Sequence, residues 1–227
     1  MAGIVHVLSR GVDKRKIFLD EQDYFRFVHD LFEFNDQEWV NNIFYRFQRS
    51  KQSNDIASHY IEKKPRKLLV DILAFCLMPN HYHLLLTSRI DNGISKFMKK
   101  LNMGYAKYFN EKYEREGTLF EGRYKSIPVT REVHFIYIPY YIHLNPLDLN
   151  FPEWRNKEIK DYKAAMNFLE NYRWSSFPDY IGKKNFPSVT NREFLNEFFG
   201  GVKQYKKDTL QWLKELDLEN IKDLILE

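Results

Sequence analysis

The order of apolar segments predicts an α+β fold, a ferredoxin-like β-α-β-β-α-β unit around a central antiparallel sheet, followed by one more helix and a helical C-terminal extension. Three observations carry this. Gly3 to Arg10 (GIVHVLSR) is a β-branched run closed by Gly11. Leu68 to Met78 and the apolar run from His81 to Ser88 are parted only by Pro79-Asn80, which reads as a hairpin turn. Two stretches with helical spacing separate that hairpin from the first strand and from a last strand, Gly122 to Thr130 (GRYKSIPVT). In this topology the first and third strands lie side by side in the middle of the sheet.

The elements follow in order. After the first strand comes a basic loop with Arg10, Lys14, Arg15 and Lys16. Asp20 then caps a helix whose Tyr24, Phe27, Val28, Leu31 and Phe32 keep helical spacing. Residues 35–67 are polar, with a helical patch from Trp39 to Phe47, and read as an insertion or protruding arm; the cluster Lys63, Lys64, Arg66, Lys67 near its end suits a phosphate contact or a solvated face. The near-continuous apolar run to Met78 marks a strand buried on both faces. Gly93 and Ser95 open a helix with Ile94, Phe97, Met98, Leu101, Tyr105 and Tyr108 on one stripe, closing near Gly117. Arg131 to Leu144 is helical by spacing, and Pro139 inside it calls for a kink or a fresh turn. Residues 1–150 form the expected main domain and 151–227 the extension, whose last ten residues, acidic and apolar, suit packing on the domain or pairing with a second copy.

Composition bounds the partners. The chain of 227 residues is 44% hydrophobic and 17% aromatic, enough to build a core without disulfides, and its one cysteine, Cys76, reads as a small core residue in a reducing compartment. No charged-then-apolar leader and no apolar run of membrane-spanning length occur, which points to a cytoplasmic protein with no membrane partner. A net charge of +4 permits a nucleic-acid partner without demanding one.

The chemistry centres on Pro79-Asn80-His81-Tyr82-His83. On a strand, His81 and His83 share a face and Tyr82 points to the other, so two imidazoles can converge on one divalent metal. With seven histidines in the chain, a His-x-His triplet arises by chance in about one such chain in five, so the pair needs partners elsewhere. His6, on the first strand, is a third-ligand candidate but reads more simply as a buried strand histidine. Tyr141 and Asn145 stand four residues apart and share a helix face if that helix continues.

Several ordered motifs then resemble the single-tyrosine HUH transposases, the REP-associated tyrosine transposases most of all. They are HVLSRGVDKRKIF, MPNHYHLLL, NEKYEREGTLFEGRYKS, YIHLNP and YRWSSFPDY, spread over roughly residues 3–182. The resemblance implies Tyr141 as nucleophile, His81 and His83 as metal ligands, and Asn145 as candidate third ligand. A tyrosine with an ordinary pKa near 10 needs help to attack at neutral pH. Two nitrogens completed by oxygens suit Mg²⁺ or Mn²⁺, and no thiol offers itself for Zn²⁺. Tyr140 competes with Tyr141, but adjacent helical residues point about 100° apart and only one can face the metal. Arg10, Lys14, Arg15, Arg123 and Lys125, with Lys99 and Lys100, are the candidate DNA contacts, and each lysine alone also suits a solvated face. Glu121 departs from the neutral residue that many relatives carry there. His143 and His134 read as structural or unassigned.

The expected function is a metal-dependent transposase and endonuclease. It would cleave and rejoin single-stranded or hairpin DNA through a 5′-phosphotyrosine, as a monomer or homodimer. Two alternatives use the same residues differently: a non-catalytic nucleic-acid-binding protein on this sheet, and a hydrolase that activates water at the histidine pair.

Overall fold

The computed structural model describes residues 3–38 and 66–215. Its strands are β1 (Ile4–Arg10), β2 (Val70–Met78), β3 (His81–Ser88) and β4 (Lys125–Val129). Its helices are α1 (Glu21–Glu33), α2 (Gly93–Lys112), α3 (Glu132–Leu144), α4 (Tyr162–Asn171), α5 (Phe177–Tyr180), α6 (Glu193–Phe198) and α7 (Val202–Glu215). The sheet order is β2-β3-β1-β4 with every neighbour antiparallel, the ferredoxin-like arrangement with the first and third strands central. The helix expected from Trp39 to Phe47 and the last ten residues lie outside the described residues. The two sides of that gap meet: Gln37 N–H donates to Lys67 O at 2.9 Å, and the Asn35 side chain bonds the backbone of Leu69 and Val70.

Local chemistry accounts for the boundaries. Asp20 caps α1 in a capping box with Asp23, satisfying backbone donors that the first turn leaves over. β4 starts at Lys125, later than Gly122, because Gly122 holds a left-handed φ of 68° in the turn after Phe120. α2 ends at Lys112, one turn before Gly117. α3 runs through Pro139 as one helix.

Two cores sandwich the sheet. On one face α1 and α2 pack Phe27, Leu31, Phe97, Leu101 and Tyr105 against Val7, Phe75, Tyr82, Leu84 and Leu86. Fully burying one such side chain stabilises by roughly 1.5–3 kcal/mol. Gly104 lets the two helices approach, since a Cβ there would strike the Phe34 ring. On the other face α3 and the C-terminal helices cover Ala74, Cys76, Met78 and Leu85. A bulge between Ile72 and Ala74 turns Leu73 and Ala74 to this second face together.

The outer edge of β2 is closed by the YRWSSFPDY stretch. Leu77 N–H donates to Trp174 O at 2.8 Å and Ser176 N–H to Phe75 O at 3.0 Å, while the hydroxyls of Tyr172 and Tyr180 bond the carbonyls of Leu77 and Leu73. His143 of α3 joins the same edge. Its ring nitrogens lie 2.7 Å from Tyr205 Oη and 2.7 Å from Ser176 Oγ, and Ser176 Oγ accepts from Phe75 N–H. One proton assignment satisfies the whole chain: Tyr205 O–H donates to Nδ1, Nε2–H donates to Ser176, and Ser176 O–H donates to Phe75 O at 3.3 Å. This fixes α3 over the sheet. Burial alone holds the His143 imidazole down to about 3, so it is neutral.

Candidate active site

β3 sorts its side chains by alternation. Tyr82, Leu84 and Leu86 join the α1/α2 core, and His81, His83 and Leu85 turn to α3. His81 and His83 are both buried, with ring centroids 5.0 Å apart. In register, Arg10 stands opposite His81, Leu8 opposite His83 and His6 opposite Leu85. His6 therefore lies diagonal to His83, and its Nε2 sits 2.9 Å from His83 Nδ1 with the rings stacked. His6, a third-ligand candidate read more simply as a buried strand histidine, is buried and also lies against His83. Only the cross-strand register reveals this.

Tyr141 comes down from α3 onto these rings. It is fully buried, with its ring 5.9 Å from His83 and 6.3 Å from His6, both edge-on. Tyr140 faces the other way, stacked 4.8 Å from Tyr205 with its hydroxyl 3.4 Å from Asp208. The expected 100° between adjacent residues thus separates the two tyrosines, and Tyr141 is the one beside the histidines.

Asn145 caps α3. Its Nδ2 donates to Tyr141 O at 2.8 Å and its Oδ1 accepts from Arg155 Nη2 at 3.5 Å, so its hydrogen bonds run to the tyrosine's backbone and to a cation. Arg155 is a residue that sequence reasoning missed. It sits in a 3-10 turn (Pro152–Asn156), gripped by Asp148 at 2.9 and 2.5 Å, with its guanidinium 5.9 Å from the Tyr141 ring. A lone arginine in a polar extension gives no sequence signal. Burial, then Arg155 and Arg10, hold the His83 imidazole down to about 3, keeping it a neutral nitrogen donor.

The donor set suits a divalent cation. Two imidazoles converge from one strand face, each with its Nδ1 hydrogen-bonded, to Asn80 Oδ1 at 2.7 Å for His81 and to His6 for His83. Hydrogen bonding at one ring nitrogen is the usual way a metal-binding histidine is oriented through the other. Cys76 stands opposite His83 in register, yet among the described residues no three His, Cys, Asp or Glu side chains converge as a metal cage.

The basic candidates gather at the sheet end where His81 lies. Arg10 closes β1; Lys14 and Arg15 are exposed in the following loop, whose Lys14 carbonyl accepts from Asn80 Nδ2 at 3.3 Å. Glu121 N–H donates to Arg10 O at 2.8 Å, and the exposed Arg123 and Lys125 follow within four residues. Lys99 and Lys100 lie on α2, across the sheet from the histidines. His134 lies beside Arg131 at the start of α3.

Residues 36–145 match the model of the family described as IS200-like transposases. Among solved structures the chain is similar to a REP-associated tyrosine transposase bound to a REP hairpin. Identity is 12% and the TM-score 0.47, over 85% of this chain and 90% of that one. No curated protein matches the chain. Among the described residues, no helix is long and apolar enough to cross a membrane.

Proposed function

We propose that this protein is a transposase that cleaves and rejoins single-stranded or hairpin-bearing DNA through a covalent bond to Tyr141. The observation that carries the reading is the packing of the Tyr141 ring edge-on against His83 and His6. The phenol oxygen of Tyr141 attacks phosphorus in line. The Oη–P bond forms as the P–O3′ bond breaks, the phenolic proton is given up, and the leaving oxygen takes a proton to become a 3′-hydroxyl. The product is a 5′-phosphotyrosine, which a second 3′-hydroxyl reverses, so rejoining needs no nucleotide cofactor. His81 and His83 would hold a Mg²⁺ or Mn²⁺ ion, with Asn145 the candidate oxygen ligand. Such an ion, when bound, supplies charge neutralisation and polarisation at the scissile phosphate. Arg10, Lys14, Arg15, Arg123 and Lys125 would track the DNA backbone, giving affinity that falls with salt.

The test is incubation with labelled hairpin DNA and Mn²⁺, followed by denaturing electrophoresis. The wild-type protein is expected to give a protein-linked DNA band that Tyr141→Phe abolishes. A Tyr141→Phe protein that still forms the adduct would overturn the assignment. Turnover without any adduct would favour a hydrolase, and salt-sensitive binding without cleavage a binding protein.

A further inference from the structure

We infer that Asn80 is a positioning residue, which sets the tautomer of His81 and ties that ring to the basic loop 11–16. The inference extends the metal-site reading above, but its core concerns hydrogen bonds that exist without the ion.

The logic runs through obligatory donors and acceptors. The Lys14 carbonyl can only accept, so the Asn80 atom 3.3 Å from it is the amide nitrogen. The amide oxygen then faces His81 Nδ1 at 2.7 Å. That oxygen also can only accept, so the proton must sit on Nδ1, and Nε2 carries the lone pair. One asparagine side chain thus converts the position of a loop carbonyl into a choice of tautomer on a ligand histidine. Alanine offers neither contact, and aspartate keeps only the acceptor.

Both ends of the relay are held. Gly11 N–H donates to Asn80 O at 2.8 Å, and Ile17 and Phe18 N–H both donate to Pro79 O, so the turn and the loop form one clamped unit. The loop has little freedom to drift. Asp13 and Lys14 both take left-handed φ values of 56°, and a Cβ at Gly11 would strike the Arg15 carbonyl. The amide is a poor choice for a mere turn residue's work, because its two functions are spent on two different elements. The loop so tied carries Lys14 and Arg15, two of the proposed backbone contacts.

The experiment uses ¹⁵N-labelled full-length protein without metal, at a pH near 8 where neutral imidazoles dominate. Long-range ¹H–¹⁵N correlation reports which His81 nitrogen is protonated. Wild type is expected to show the Nδ1–H form, Asn80→Ala a mixture of tautomers, and Asn80→Asp the Nδ1–H form retained. A wild-type His81 protonated on Nε2, or an Asn80→Ala spectrum identical to wild type, would overturn the inference. Mn²⁺ titration of the same proteins then separates the two readings. Asn80→Ala is expected to bind the ion about 10–100-fold more weakly, as is usual when a hydrogen bond behind a ligand is lost, whereas Asn80→Asp binds as tightly as wild type or tighter. Should the tautomers behave as expected while wild type and His81→Ala bind Mn²⁺ equally, the metal reading fails and the Asn80 relay stands.

Discussion

Both faces of the sheet bury aromatic side chains, to different ends. Under α1 and α2 the tyrosines are spent on structure: Tyr82 O–H donates to Asn102, Tyr105 O–H to Ile17 O at 2.6 Å, and Tyr108 and Tyr113 O–H to the buried Asp23. Burial first, with the Asp23 carboxylate adding to it, pushes the Tyr108 and Tyr113 phenols up, away from ionisation. Under α3, Tyr141 lies instead beside two imidazoles, His83 and His6, with the Arg155 guanidinium 5.9 Å from its ring. The same strand, β3, serves both faces by alternation. A sheet can therefore carry a site without loosening its core, provided the reactive residues all fall on one parity.

That division can be broken at neighbouring positions. His83→Ala is expected to lower adduct formation by more than about 100-fold, read on a denaturing gel, with little change in the far-ultraviolet circular dichroism. Retained cleavage would show that the histidine face is not the site. Leu84→Ala, one residue on, should do the reverse. It removes a fully buried side chain from the α1/α2 core and should cost about 2–5 kcal/mol by urea denaturation, while the folded fraction still forms the adduct. A smaller effect sharpens the contrast through pH. His83 and His143 are buried neutral, with imidazoles held near 3 against an ordinary value near 6.5. The unfolded chain then binds more protons than the folded one between these limits, so stability is full above about 6.5 and falls as pH drops toward 3. Each histidine contributes on the order of 1–3 kcal/mol of that loss by pH 4.5, and His143→Gln should flatten the slope measured from pH 7 to 4.5.

Much of this was legible in the residues. Alternation alone assigned His81 and His83 to one face and Tyr82 to the other, and the Pro79-Asn80 turn fixed the hairpin. The spacing of four put Asn145 one turn from Tyr141, where its amide now bonds the Tyr141 carbonyl. What the sequence could not show depends on pairing across elements. His6 joins the cluster only because β1 meets β3 in the observed register, and Arg155 reaches Tyr141 only because the turn after α3 folds back, which no periodicity encodes. Asn80 was legible as a turn residue, but its hydrogen bonds to two elements were not.

The closed outer edge of β2 has a consequence for how this chain can be divided. Residues 172–180 supply backbone partners and two tyrosine hydroxyls for β2, and Asn191 N–H adds a bond to Ile72 O at 2.9 Å. A fragment ending near residue 150 would keep every proposed catalytic residue, yet present an apolar strand with its backbone groups open along one side. Such an edge recruits other strands, so the fragment's expected failing is self-association into insoluble material, with the chemistry of Tyr141 never put to the question.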